Sequence, residues 1–161
     1  MKFEGTVPTI TESQQKTLRF DNGHWQFPEQ MGDVVGFIYI VRDNYLKRFY
    51  LGKKLFTSAV KGTKQRKASS WKKYTTSSKL LAELFEERPK EEFDFICLEQ
   101  YRTKGTLSYA ETWTLCQVEA PTSLIWYNKR IEAVSWKVSE TISERHKQRL
   151  ADTLLFKDMR C

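Results

Sequence analysis

The stretch GFIYIVRDNYLKRFYLGKK, from Gly36 to Lys54, limits the fold more than any other part of the chain. Its β-branched and aromatic residues fall in two arms separated by a polar turn, which predicts a β-hairpin with strands over 34–42 and 47–52. Successive side chains of a strand point to opposite faces, so Phe37, Tyr39 and Val41 share one face and Ile38 and Ile40 the other. A turn centred between Asn44 and Tyr45 sets Tyr39 directly opposite Tyr50, with Cβ atoms about 4.5–5.5 Å apart. Such a pair has two uses. It can be a cross-strand aromatic contact, worth about 0.5–1.5 kcal/mol beyond area burial, or it can present two hydroxyls on one wall of a site. Gly52 can simply end the second strand, and Lys53 and Lys54 can be solvated.

The remaining sequence supplies helices and one more strand for this hairpin. Ser77 is placed to cap a helix with Leu80, Leu81, Leu84 and Phe85 on one face, ending before Pro89. EEFDFICLEQYR reads as a third strand, with Phe93, Phe95 and Cys97 on one side. A second helix is expected over 107–119, IWYNKRI beside the sheet, and SETISERHKQRLADTLLF as an amphipathic terminal helix. The 161 residues suit one domain with a terminal extension. An N-terminal extension, 1–33, carries a small hairpin turning at Asn22-Gly23, and a C-terminal helical extension covers 131–161.

Charge is unevenly distributed. Lys and Arg number 27 against 20 Asp and Glu, a net charge of +7. Between Lys61 and Lys79 stand Lys61, Lys64, Arg66, Lys67, Lys72, Lys73 and Lys79 with no acid among them, whereas 83–99 is mainly acidic. A local basic run of this kind favours a polyanionic partner, although it can also be a solvated face. Three cysteines without a CxxC spacing point to free thiols in a reducing compartment. Two histidines far apart disfavour a multi-histidine metal site and a Ser-His or Cys-His mechanism. No apolar run approaches the roughly 18 residues of a membrane span, and no signal-like segment opens the chain. The expectation is a cytoplasmic protein with no membrane partner.

Gly36-Phe37-Ile38-Tyr39 and Tyr50-Leu51-Gly52-Lys53-Lys54, with ten residues between the tyrosines, resemble the signature of the GIY-YIG nucleases. Phe37 and Leu51 stand where the signature has isoleucine. SSWKKYTTSS (69–78), TKGTLSYAE (103–111) and WYN (126–128) resemble the further blocks of the Seg-type free-standing homing endonucleases of phages. The resemblance covers about 34–130 and implies there a small α+β domain with a mostly antiparallel three-stranded sheet flanked by helices. It implies endonucleolytic cleavage of double-stranded DNA with Mg²⁺ or Mn²⁺, in the cytoplasm of a bacterial host. Its catalytic roles fall on Tyr39, Tyr50, Lys53, Glu111 as metal ligand, and Asn128. The family arginine of the first helix falls on Arg66, the one arginine of the basic run, although Ser70 rather than an aromatic follows four residues on. Tyr74 and Lys72 are candidates to share that job. Lys54, Lys61, Lys64, Lys67, Lys72, Lys73 and Tyr74 are the expected DNA contacts.

The chemistry is coherent on these residues. Mg²⁺ keeps several waters and needs few protein ligands when phosphate oxygens complete its shell. A free tyrosine, with a pKa of about 10, becomes a base at neutral pH only where nearby positive charge favours the phenolate. The expected division of labour has Tyr39 take the proton from water, Tyr50 and a basic residue steady the phosphate, and Glu111 hold the metal. Competing uses stand beside these. Ser108-x-x-Glu111 is the sequence of a capping box at a helix start, Asn128 suits a turn, and Trp71 suits a packing anchor better than a base-stacking platform. A nucleic-acid-binding module that has lost cleavage is the alternative to the nuclease. A basic protein that docks on a partner is a third reading.

Overall fold

A computed structural model describes residues 23–28, 32–132, 138 and 140–156. Among these residues, six strands and three α-helices follow in the order β1 (Trp25–Gln26), β2 (Gly36–Asp43), β3 (Arg48–Leu55), β4 (Thr57–Ala59), β5 (Arg66–Ala68), α1 (Lys79–Glu87), β6 (Phe93–Tyr101), α2 (Lys104–Gln117) and α3 (Glu144–Thr153). The fold is α+β, as expected, with four strands rather than three in the main sheet. Their order is β1-β6-β2-β3, and β4 and β5 form a separate two-stranded ribbon. β2 runs antiparallel to both neighbours, and only β1 is parallel to its partner β6. The fourth strand comes from the segment expected to turn at Asn22-Gly23. Its second arm, Trp25–Gln26, joins the main sheet, and its first arm lies outside the described residues.

The hairpin forms where its sequence places it, but the register differs. Asp43 pairs with Arg48 across a four-residue turn, so Tyr39 lies opposite Gly52 and Tyr50 opposite Val41. The turn is displaced by one residue because Asp43 Oδ1 accepts from the backbone N–H groups of Tyr45 and Leu46 at 3.0 and 2.9 Å. An aspartate bonding its own backbone two and three residues on defines where a turn starts. Lys47 closes it at φ 56°. A shift of two in register preserves the face, so Tyr39 and Tyr50 are diagonal neighbours with ring centroids 6.3 Å apart. Gly52 does not end β3; it lies inside the strand, where any Cβ would be driven into the phenol of Tyr39.

The two faces of the sheet bury different side chains. Ile38, Ile40, Phe49, Leu51 and Leu98 pack beneath Leu107, Ala110 and Leu115 of α2 and Leu150 of α3. Trp25, Phe37, Tyr39, Val41, Phe93, Phe95 and Cys97 form an aromatic layer on the other face, closed by Trp71, Tyr74, Leu84 and Phe85. Trp71 is therefore the packing anchor its position suggested, and its carbonyl accepts from the Trp25 indole at 2.9 Å. Leu81 of α1 is buried, while Leu80 is half exposed and leaves the expected apolar face. The cap of α1 is Ser78, not Ser77.

Polar groups fix α3 to the sheet. Glu99 of β6 accepts from Ser143, the N-cap of α3, at 2.8 Å and from Arg145 at 2.7 and 2.9 Å. Arg42 donates to the carbonyls of Thr153 and Leu155 at the other end of the helix, where a cation also complements the helix dipole. Between them His146 is fully buried, its Nδ1 2.8 Å from Tyr101 Oη and its Nε2 2.9 Å from Thr114 Oγ1. Thr114 gives its own proton to the Ala110 carbonyl at 2.7 Å. Nε2–H must then be the donor and Nδ1 the acceptor, a neutral imidazole tying α3 to α2.

Candidate active site

Because strand residues alternate, β3 carries the site on both of its faces. Tyr50 and Lys54 point to the aromatic side, and Leu51 and Lys53 to the side covered by α2. A cleft of about 330 Å³ wraps this edge and is lined by Tyr50, Lys53, Tyr74, Ser77, Glu111 and Arg130 among others. From the α2 side, Glu111 Oε2 accepts from Lys53 Nζ at 2.7 Å. From the aromatic side, Tyr50 Oη meets Ser77 Oγ at 3.0 Å.

Glu111 is not a capping residue. The N-cap of α2 is Thr103, whose Oγ1 accepts from Thr106 N at 3.2 Å, so the helix starts three residues before the expected 107 and Glu111 stands in its interior. Its carboxylate takes no other hydrogen bond among the described residues than that from Lys53. Glu132 is a second carboxylate in the cleft, and neither histidine nor cysteine lines it. An all-oxygen donor set with free lone pairs fits a hard cation such as Mg²⁺, which one or two carboxylates hold while water and phosphate complete the shell.

Asn128 works on the backbone. Its Oδ1 accepts from Leu51 N and its Nδ2 donates to Leu51 O, both at 2.8 Å. Two residues earlier in β3, Phe49 N donates to Ile125 O and Phe49 O accepts from Tyr127 N at 2.8 and 2.7 Å. The chain over 125–128 thus adds a short parallel strip to the edge of β3, and the Asn128 carboxamide continues the ladder one step further. This seals an edge that would otherwise expose an unpaired N–H and C=O beside the cleft.

The tyrosines divide differently from expectation. Tyr39 is fully buried, and among the described residues its hydroxyl bonds only Tyr74 Oη, at 3.2 Å. Burial, then the neighbouring Tyr74 and Tyr50, push its pKa well above the ordinary phenol value. A hydroxyl so enclosed does not face a water in the cleft. Tyr50 lines the cleft, with its pKa also raised by burial and partly offset by the Ser77 hydrogen bond. Tyr74 joins the two layers: its Oη touches Tyr39, its ring receives the Lys54 ammonium 4.1 Å from the centroid, and it lines the cleft.

A family model described as "Putative endonuclease segE, GIY-YIG domain" matches residues 20–131, more than half of the chain. The chain belongs to this family. No curated protein matches it, and no solved structure does. The GIY-YIG domain accounts for β1 to α2 and for the 125–128 strip, the elements that build the cleft. Within it Tyr50, Lys53, Glu111, Asn128 and Tyr74 come together, and Tyr39 supports them from beneath.

Arg66 does not join them. It stands on β5, not on a helix, and its guanidinium donates to Thr57 Oγ1 and Thr57 O at 2.7 and 2.8 Å across the ribbon. The cations that do line the cleft are Lys53 and Arg130. Arg130 and Glu132 were not singled out from sequence, and Ser77 was read there only as a helix cap. One signal could have found the first two: Asn128, Arg130 and Glu132 are spaced by two, the period of an extended chain laid along an edge. Lys61, Lys64, Lys67, Lys72 and Lys73 are all exposed and lie outside the cleft lining. Among the described residues no helix is long and apolar enough to cross a membrane.

Proposed function

We propose that this protein is a metal-dependent DNA endonuclease of the Seg type, phage-encoded and acting in the cytoplasm of a bacterial host. The observation that carries the reading is the meeting of Tyr50, Lys53 and Glu111 in one cleft. Their signature blocks lie 58 residues apart between Lys53 and Glu111, in a chain of an endonuclease-domain family.

Lys53 and Arg130, the two cations that line the cleft, neutralise the non-bridging oxygens of the scissile phosphate. Glu111 would hold the divalent cation, which when bound supplies charge neutralisation and an acidified water. With a cation on Glu111, Lys53 would be repelled from that carboxylate and free to turn to the phosphate. Tyr50 is the base: its phenol first gives its own proton to solvent as positive charge gathers in the cleft, and the phenolate oxygen then takes the proton of the attacking water. Burial keeps it a phenol in the free protein, and the positive charge gathered in the cleft is what lowers its pKa for the task. Tyr74 steadies the phosphate through its hydroxyl, oriented from below by Tyr39. Tyr39 is thus a positioning residue and not the base.

The test is nicking of supercoiled plasmid by wild type and Glu111→Gln, each with Mg²⁺ and with EDTA. Wild type should relax plasmid only with the metal, and Glu111→Gln should bind DNA as wild type does without cutting it. Cleavage by Glu111→Gln at the wild-type rate overturns the assignment. Binding without cleavage by wild type itself points instead to the non-cleaving binding module.

A further inference from the structure

The β4–β5 ribbon has no part in the cleft and no place in the core. It leaves β3 directly: Leu55 ends that strand, Phe56 bridges, and Thr57 begins β4. The register is short and regular, Thr57 opposite Ala68, Ser58 opposite Lys67 and Ala59 opposite Arg66, and Val60 N closes it on Gln65 O at 3.0 Å. Ser69 ties the returning arm to the foot through Leu55 O at 2.6 Å and Phe56 O at 2.8 Å. Every residue from 61 to 68 is exposed.

An exposed ribbon with no core to cover is held by its ladder and a few side-chain bonds, and such an element needs another reason to persist. Its composition gives one. Thr57, Ser58, Ala59, Val60, Gly62, Thr63 and Ala68 are small, so the backbone is thin, and the long side chains are Lys61, Lys64, Gln65, Arg66 and Lys67. No acid occurs anywhere from Asn44 to Ala82, a span that also carries Lys53 and Lys54 of the cleft edge. No aromatic residue occurs over 57–70, so the ribbon offers no platform on which single-stranded bases stack. A two-stranded β-ribbon fits the major groove of B-form DNA, about 12 Å wide.

We propose that the β4–β5 ribbon enters the major groove of duplex DNA and sets the enzyme's register on its substrate, with Lys61, Lys64 and Lys67 on the flanking phosphates. The proposal rests on the reading of the protein as one that acts on DNA, and it fixes that DNA as double-stranded at the ribbon. Arg66 has its own part, stapling the two arms through Thr57. Lys61 lies eight positions beyond Lys53, at most about 26 Å of extended chain. The groove contact therefore falls within one helical turn, about 34 Å, of the phosphate in the cleft.

The experiment uses the full chain in EDTA, so that no result depends on cleavage. Affinity for a duplex and for the matching single strand is measured across a salt series, with dimethyl sulfate protection of guanine N7 mapped on the duplex. The variants are Lys61→Ala/Lys64→Ala/Lys67→Ala and the corresponding triple change to Glu, which keep Arg66 and the fold, checked by an unchanged melting temperature. The alanine triple should lose at least about tenfold in duplex affinity, flatten the salt slope by about 2–3, and abolish N7 protection. The glutamate triple should bind more weakly still. Wild-type duplex affinity and slope in both variants overturn the ribbon proposal while leaving the nuclease reading standing. Equal binding of single strand and duplex by wild type, or duplex binding that leaves every guanine N7 unprotected, also overturns it. Failure of wild type to bind any DNA overturns both readings together.

Discussion

Two cation–carboxylate pairs bracket the β2–β3 hairpin, both with a closest approach of 2.7 Å, Arg88 with Asp43 at the turn and Lys53 with Glu111 at the open end. Asp43 is fully enclosed and accepts five hydrogen bonds, from Tyr45 N, Leu46 N, two nitrogens of Arg88 and the Tyr127 hydroxyl. Burial alone would raise its pKa, but those donors outweigh it and hold the carboxyl below its usual value. Glu111 accepts one such bond among the described residues, and both its side chain and that of Lys53 remain open, 25% and 39% exposed. Distance does not separate the two pairs. What separates them is how many lone pairs are left over. A carboxylate with every lone pair taken is a rivet, and one with lone pairs to spare in a wet cleft can exchange its lysine for a cation and a phosphate.

The sharpest way to break this comparison is to disable each pair in turn. Arg88→Ala should cost about 3–5 kcal/mol of folding stability, because it leaves the Asp43 charge buried and unpaired. Urea denaturation should register it, and activity per folded molecule should survive. Glu111→Gln should do the reverse: nicking falls by about a thousandfold, a barrier increase of about 4 kcal/mol, with the melting temperature unchanged. A large stability loss in Glu111→Gln would show that both pairs are rivets.

The two hydroxyls of the hairpin sharpen the contrast next. Tyr50→Phe should lower single-turnover cleavage by about a hundredfold or more, the lower range for a general base. Tyr39→Phe removes one hydrogen bond beneath the cleft, so it should cost about 1 kcal/mol of stability and roughly tenfold in rate. If Tyr39→Phe were the more damaging to cleavage, its enclosed hydroxyl would have to open to the cleft during the reaction.

Acid should strike the riveted part of the molecule first. Burial lowers the His146 pKa to about 4 and, with help from Lys90, that of His24 to about 4. In the unfolded chain a histidine titrates at about 6.5. Between those values the unfolded state takes up protons that the folded state refuses, so stability is complete above about pH 6.5 and falls as pH drops towards 4. For fully buried His146 the loss amounts to about 3 kcal/mol. Melting temperatures from pH 7.5 to 4.5 test this, and His146→Gln should flatten the profile. A flat wild-type profile would mean that imidazolium is accommodated between α2 and α3.

Much of this was legible in the sequence because hairpins and helices announce themselves by period. The face shared by Tyr39 and Tyr50 followed from parity alone, and parity survives an even error in register. The register itself did not follow, because it was set by the carboxylate of Asp43 choosing two backbone N–H groups, a choice that propensity does not encode. The meeting of Lys53 with Glu111 came from the family resemblance, since no local pattern links a strand end to a helix interior 58 residues on. The capping-box pattern at Ser108 pointed the other way and lost to Thr103, a better-placed cap four residues before the expected start. The ribbon was hidden for a different reason. Its short arms of Thr, Ser, Ala, Arg and Lys carry no hydrophobic alternation, so nothing in their periodicity distinguishes them from a solvated basic loop.

Asn128 offers the finest test, because it lies where the rivet and the working site meet. Its carboxamide is needed as both donor and acceptor, Nδ2 towards Leu51 O and Oδ1 towards Leu51 N. Asn128→Asp keeps the shape and the acceptor but replaces the donor with an oxygen facing a carbonyl. That change should cost about 1–3 kcal/mol, the range for a buried polar group left unsatisfied, and should weaken further as the aspartate ionises. Asn128→Ala, which removes both partners and lets water reach the Leu51 backbone, should cost less. Hydrogen exchange at the Leu51 amide would follow the effect at its source. In Asn128→Ala that amide should exchange faster. In Asn128→Asp it should remain protected while overall stability falls. The reverse order would mean that Asn128 is held in place for the substrate rather than for β3.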